Sequence, residues 1–135
     1  MITSTLEYCL DGYNLKECRI ESFELLKAKL MQVKKEAIDA INCIFTADVV
    51  IVDVGRISIG LDDRSILTYT SADFEKNLTS LGDKFAEGYT MYYFGDYSSI
   101  SNKYVIPYEK ALAVLKIWVE TGEMDEMIEW TDDIF

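Results

Sequence analysis

The chain has 135 residues, half of them hydrophobic, with 24 acidic against 13 basic side chains and a net charge of −11. That length fits one domain able to bury most of the surface its unfolded form exposes. The charge repels nucleic acid and membrane phosphates while speeding encounter with a basic partner. Histidine is absent, which removes Ser-His-Asp and Cys-His catalysis, the usual zinc ligand sets and the commonest general base.

No apolar run approaches the roughly 20 residues needed to span a bilayer. The start, Met1 to Glu7, lacks the basic and apolar regions of a secretory signal, so the expected location is the cytoplasm. Cys9, Cys18 and Cys43 form no CxxC pair and leave an odd count, which argues against a disulfide framework or a thiolate metal site. Free thiols packed as small hydrophobes are expected instead.

Residues 1–20 mix polar and apolar positions around an Asp11-Gly12 turn signal, and read as a short strand pair or an ordered arm. Glu21 to Ile44 reads as a long helix capped by Ser22, with Phe23, Leu26, Leu30, Val33, Ala37, Ile41 and Ile44 on one stripe. Val49 to Val54 is uninterrupted and apolar, which predicts a strand covered on both faces. Gly55-Arg56 is the expected turn. Ile57, Ile59 and Leu61 alternate with Ser58 and Gly60, and Ser65 to Thr70 returns after Asp62-Asp63, completing an antiparallel meander.

Ser71 to Glu87 is predicted as a second helix, buried through Phe74, Leu78, Leu81 and Phe85 and stopped by Gly88. Tyr89 to Phe94 is an aromatic strand, Gly95 to Ser99 a polar loop, and Lys103 to Ile106 a last short strand. Pro107 suits the start of a third helix, since its missing N–H needs no partner there. Ala111, Leu112, Leu115, Trp118 and Val119 recur at helical spacing, and Gly122 fits the left-handed residue beyond the end. Met127, Ile128 and Trp130 then draw the tail back onto the body. The expected architecture is one α+β domain over residues 1–135: a mainly antiparallel sheet of about five strands packed with three helices.

Chemistry is sparse. Asp62-Asp63 and Asp132-Asp133 are neighbours that point apart, as turn residues do, rather than across a substrate. Neither a phosphate-cradling glycine loop nor a calcium-loop register occurs. No catalytic residue, metal or cofactor is expected.

The tyrosines say more: Tyr92, Tyr93, Tyr97, Tyr104 and Tyr108 crowd one strand and one loop. Tyrosine joins a rigid apolar body to a polar tip, which suits sheets and interfaces alike. Tyr92 and Tyr93 must point to opposite faces of their strand, so they cannot share one core. Past Lys116 the chain carries Glu120, Glu123, Asp125, Glu126, Glu129, Asp132 and Asp133 with no cation. Such a block is either a solvated terminus or a surface that mimics phosphate.

The last third of the chain also resembles immunity-protein family one of bacterial polymorphic toxin systems. The resemblance rests on Tyr92-Tyr93-Phe94-Gly95, Ser98 to Lys103, Ile106-Pro107, Ala111 with Trp118, Thr121-Gly122-Glu123 and Ile128-Glu129-Trp130. It departs at Met124-Asp125, where such sequences often carry proline. Of the residues that match the pattern, Pro107, Gly122 and Trp130 are expected to be scaffold.

The resemblance implies stoichiometric neutralisation of a cognate toxin domain, not catalysis. Charge adds an expectation about that toxin: a nuclease or nucleic-acid deaminase must hold a basic cleft, which a carboxylate-rich face can fill. The expected contacts are Asp96 and Tyr97 in the polar loop, with Glu123, Asp125 and Glu126 after the last helix. A basic toxin is the expected partner, nucleic acid and membrane are not, and the protein should be a monomer or weak dimer. The competing reading is a small acidic secretion chaperone, which would expose apolar grooves and dimerise. A small-molecule enzyme would need a polar pocket with perturbed carboxylates.

Overall fold

A computed structural model describes residues 3–10, 14–37, 43–94, 96–124 and 128–132. In chain order the elements are β1 (Ser4–Tyr8), β2 (Lys16–Ile20), α1 (Phe23–Ala37), β3 (Ile44–Ile51), β4 (Gly55–Gly60), β5 (Arg64–Ser65) and β6 (Leu67–Ser71). There follow β7 (Asn77–Leu81), β8 (Tyr89–Tyr93), β9 (Tyr97–Ser101), β10 (Ile106–Pro107), α2 (Tyr108–Thr121) and β11 (Glu129–Thr131). A single 3-10 turn, Asn102–Tyr104, separates β9 from β10.

The sheet runs β11-β7-β6-β4-β3-β1-β2, with antiparallel neighbours throughout. Near its start β3 also pairs in parallel with β8, through Ile44–Tyr92 and Phe45–Tyr93, and β8 carries β9 antiparallel on its far side. One face of the sheet is apolar: Leu6, Tyr8, Ala47, Val49, Ile51, Ile57 and Ile59 are buried. Against it pack Leu26, Leu30 and Val33 of α1 and Ala111, Val114, Leu115, Trp118 and Val119 of α2. A smaller core of Ile66, Tyr92, Ile100 and Tyr104 lies beneath the β8–β9 hairpin.

The expectation of about five strands and three helices is overturned. Among the described residues there are eleven strands and two α-helices, though the class remains α+β in a single domain. The error lies mainly in Ser71 to Glu87. Here Phe74 adopts a left-handed backbone and is 78% exposed, and Phe85 is 89% exposed. Asp73 Oδ1 accepts from Ser71 Oγ and from the Glu75 N–H, a side-chain turn that competes with helix formation. These bonds hold the Asp73 carboxyl below its ordinary pKa. Leu78 and Leu81 belong to β7, which pairs with β6 on one side and β11 on the other.

Gly82 is required for close approach. A Cβ there would run into the Val105 carbonyl oxygen, while the Gly82 N–H donates to the Lys103 carbonyl.

Other boundaries shift for local reasons. Within the first 20 residues, Ser4–Tyr8 and Lys16–Ile20 form a strand pair, with the Asp11-Gly12 turn signal outside the described residues. The long helix is described as far as Ala37, Ile41 lies outside the described residues, and Ile44 opens β3. Ser22 caps α1 as expected, its Oγ accepting from the Leu25 N–H.

Val49 to Val54 is not covered on both faces. Val50, on the face opposite the helices, is only half-buried, and Val52 is 76% exposed in the turn, which falls at Val52–Val54 rather than Gly55-Arg56. On the bare face, Arg56 bonds Asp48 and Glu7. Burial opposes its charge, but the two carboxylates outweigh that and raise its pKa above the ordinary arginine value.

Candidate docking surface

The predicted polar loop is mostly strand. Tyr97–Ser101 forms β9, so the aromatic strand becomes one arm of a hairpin whose turn holds Asp96. Alternation then sorts its side chains. Thr90, Tyr92 and Ile100 point inward and are buried. Tyr89 (73% exposed), Met91 and Tyr97 (69% exposed) point outward, with Tyr93 half-buried beside them. The expected split of Tyr92 and Tyr93 is therefore what the hairpin shows.

The hairpin is fixed from below. The Tyr92 hydroxyl donates to the Arg64 carbonyl at 2.8 Å, and burial raises its pKa far above the ordinary tyrosine value. The Arg64 guanidinium bonds Thr90 Oγ1 and Asn102 Oδ1, and Thr90 and Asn102 bond each other. Asn102 Nδ2 in turn donates to the Glu87 carbonyl. No short motif marks this Arg64–Thr90–Asn102 set, and sequence reasoning missed it. Its members lie 12 to 38 residues apart.

From above, the rings form a ladder. Phe45 meets Tyr93 edge-on at 5.2 Å between centroids, and Tyr93 meets Tyr97 at 5.1 Å. Edge-on pairs of this kind hold aromatic rings in place without burying them. The result is an exposed aromatic face with Asp96 at one end and Glu87 at the other.

Charge is distributed unevenly. α1 carries Lys27, Lys29, Lys34 and Lys35 against Glu24 and Glu36, while α2 balances Lys110 and Lys116 with Glu109 and Glu120. The helices thus hold +2, and the rest of the chain −13 of the net −11.

A groove of about 900 Å³ opens between the helices, lined by Phe23, Met31, Lys34, Tyr108 and Leu112 among others. Within it Lys34 pairs with Asp63 at 3.3 Å and lies over the Tyr108 ring. Burial pushes the Tyr108 hydroxyl up to about 12.

The predicted contact residues do not form one patch. Asp96 and Tyr97 lie beside the start of β3, the end where α2 begins, since the Tyr108 N–H donates to the Asp63 carbonyl. Glu123 lies past the other end of α2, about 20 Å away by helix rise. Asp125 and Glu126 fall outside the described residues.

Pro107 pairs with Arg64 in β10 and sits just ahead of α2. Gly122 ends α2 at φ 76°, its N–H donating to the Trp118 carbonyl. Trp130 stands opposite Ser80 in β11, half-buried against the main core.

The sequence profile of the immunity protein Imm1 family matches residues 27–132, which takes in most of α1, all of α2, the hairpin and β11. The chain belongs to the Imm1 immunity protein family. No curated protein matches it. Membership makes the role that of an immunity protein and implies a cognate toxin as partner. No helix among the described residues is long and apolar enough to cross a membrane.

Proposed function

We propose that this Imm1 protein neutralises its toxin by one-to-one binding in the cytoplasm, without catalysis, and that the toxin is a basic domain acting on nucleic acid. A nuclease or a nucleic-acid deaminase fits that description. The observation that carries the reading is the hairpin: an outward face of Tyr89, Met91, Tyr93 and Tyr97 bordered by Asp96. Aromatic anchors supply most of the energy in compact interfaces, and carboxylates around them repel wrong partners and steer the right one. An acidic body at −13 outside the helices speeds approach to a phosphate-binding cleft. Glu123, with Asp125 and Glu126, would extend the contact only if the toxin reached around to the far end of α2.

The test is co-expression with the toxin domain encoded beside it. Growth arrest relieved by this protein, together with a one-to-one complex on a sizing column, is the expected result. A toxin that proves to be a pore former or a protease would overturn the nucleic-acid assignment. Binding only to an unfolded segment of the neighbour would replace immunity with secretion chaperoning.

A further inference from the structure

The hairpin carries a second property, in its backbone. The Asn102 N–H donates to the Gly88 carbonyl and the Phe94 N–H to the Asp96 carbonyl. With the β8–β9 register, this phase turns the backbone of Ser98 and Ile100 toward β8. The N–H and C=O of Tyr97, Ser99 and Ser101 therefore point the other way, along the outer edge. Among the described residues β9 pairs with β8 alone. A free edge of this kind is a template for another strand, and folds usually blunt it with charge, proline or brevity. β2, the outer strand at one end of the sheet, follows that habit with Lys16, Glu17 and Arg19 among five residues. β11 at the other end is three residues long. β9, Tyr-Ser-Ser-Ile-Ser, has five residues, no charge and no proline.

We propose that β9 is a strand-addition site, and that its occupant is an extended, lysine- or arginine-bearing segment of the toxin domain. This rests on the immunity reading above and specifies how the toxin is held. Strand addition takes its affinity from main-chain hydrogen bonds and its specificity from neighbouring side chains. The edge is about 17 Å long at strand rise, and Asp96 and Glu87 flank its two ends. A basic strand meets a carboxylate at each end. A second copy of this chain instead brings two bodies of net charge −11 together, and like charge opposes that pairing.

The experiment is amide hydrogen exchange of the protein alone and with its cognate toxin domain, alongside affinity measurements on Ser99→Pro. Proline at Ser99 deletes an outward N–H and leaves the bonds to β8, a position where edge strands tolerate it. Slowed exchange at Tyr97, Ser99 and Ser101 on binding, with at least a tenfold loss of affinity in Ser99→Pro, is the expected result. Should Ser99→Pro misfold, exchange in the unmodified protein decides alone.

Tight toxin binding with no protection at those amides would overturn strand addition and leave the immunity reading standing. No binding by the unmodified protein would remove both. A dimer of the free protein that Ser99→Pro dissociates would give the edge to a second copy and overturn the toxin as occupant.

Discussion

β2 and β9 are both outer strands of five residues, and they are finished differently. β2 lies against the main core through Ile20 and carries charge on three of its residues. β9 rests on a small core of four buried side chains, carries no charge, and shows its aromatic neighbours to solvent. One edge is closed to association and the other is left open. The difference teaches where this fold meets another molecule. Stability and edge protection follow the main core, whereas the exposed tyrosines, Tyr89 and Tyr97, and an unpaired strand edge gather on the smaller one.

The comparison is broken most severely from beneath. Tyr92→Ala empties the small core and removes the hydroxyl bond to the Arg64 carbonyl. It should cost about 3–5 kcal/mol. Denaturant unfolding gives the loss, and hydrogen exchange should show β9 opening while β2 keeps its protection. Tyr97→Ala acts on the surface instead: toxin affinity should fall by at least about tenfold with little change in melting temperature. Arg19→Ala in β2 should leave calorimetric affinity within about twofold, as rim and remote charges usually do.

Gly122→Ala, far from both edges, must place a Cβ at φ 76° and should cost about 1–2 kcal/mol without altering affinity in the folded protein. That separation of stability from binding checks its scaffold role.

A milder prediction concerns alkali. Burial raises the Tyr92 and Tyr108 hydroxyls in the folded protein, Tyr108 to about 12. Unfolding lets them ionise near the ordinary value of about 10. Their contribution is therefore fully present below about pH 10 and is lost as pH climbs toward and past the folded values. Melting followed from pH 8 to 12 should stay level and then decline, with Tyr92→Phe flattening part of the decline.

Much of the main body was legible in the sequence. α2 announced itself through apolar spacing between Pro107 and Gly122, and the β3-β4-β6 meander through β-branched alternation. α1 was legible up to Ala37, but its apolar stripe ran on into Ile44, which belongs to β3. Ser71 to Glu87 was misread because Phe74, Leu78, Leu81 and Phe85 happen to fall at helical intervals. The signals that decide it are non-local: the strands beside β7, and the Val105 carbonyl that crowds Gly82.

The candidate site shows the same limit. Asp96 and Tyr97 could be singled out from composition, but the free edge of β9 depends on hydrogen-bond phase with β8. The Arg64–Thr90–Asn102 support depends on three distant segments meeting. Neither leaves a short-range pattern.

The account stands on stoichiometric inhibition, and titrating purified toxin activity with increasing amounts of this protein tests it most directly. Residual activity should fall linearly and reach zero at one equivalent, independent of incubation time. Progressive loss of activity at a small fraction of an equivalent would mean catalytic inactivation and contradict the account.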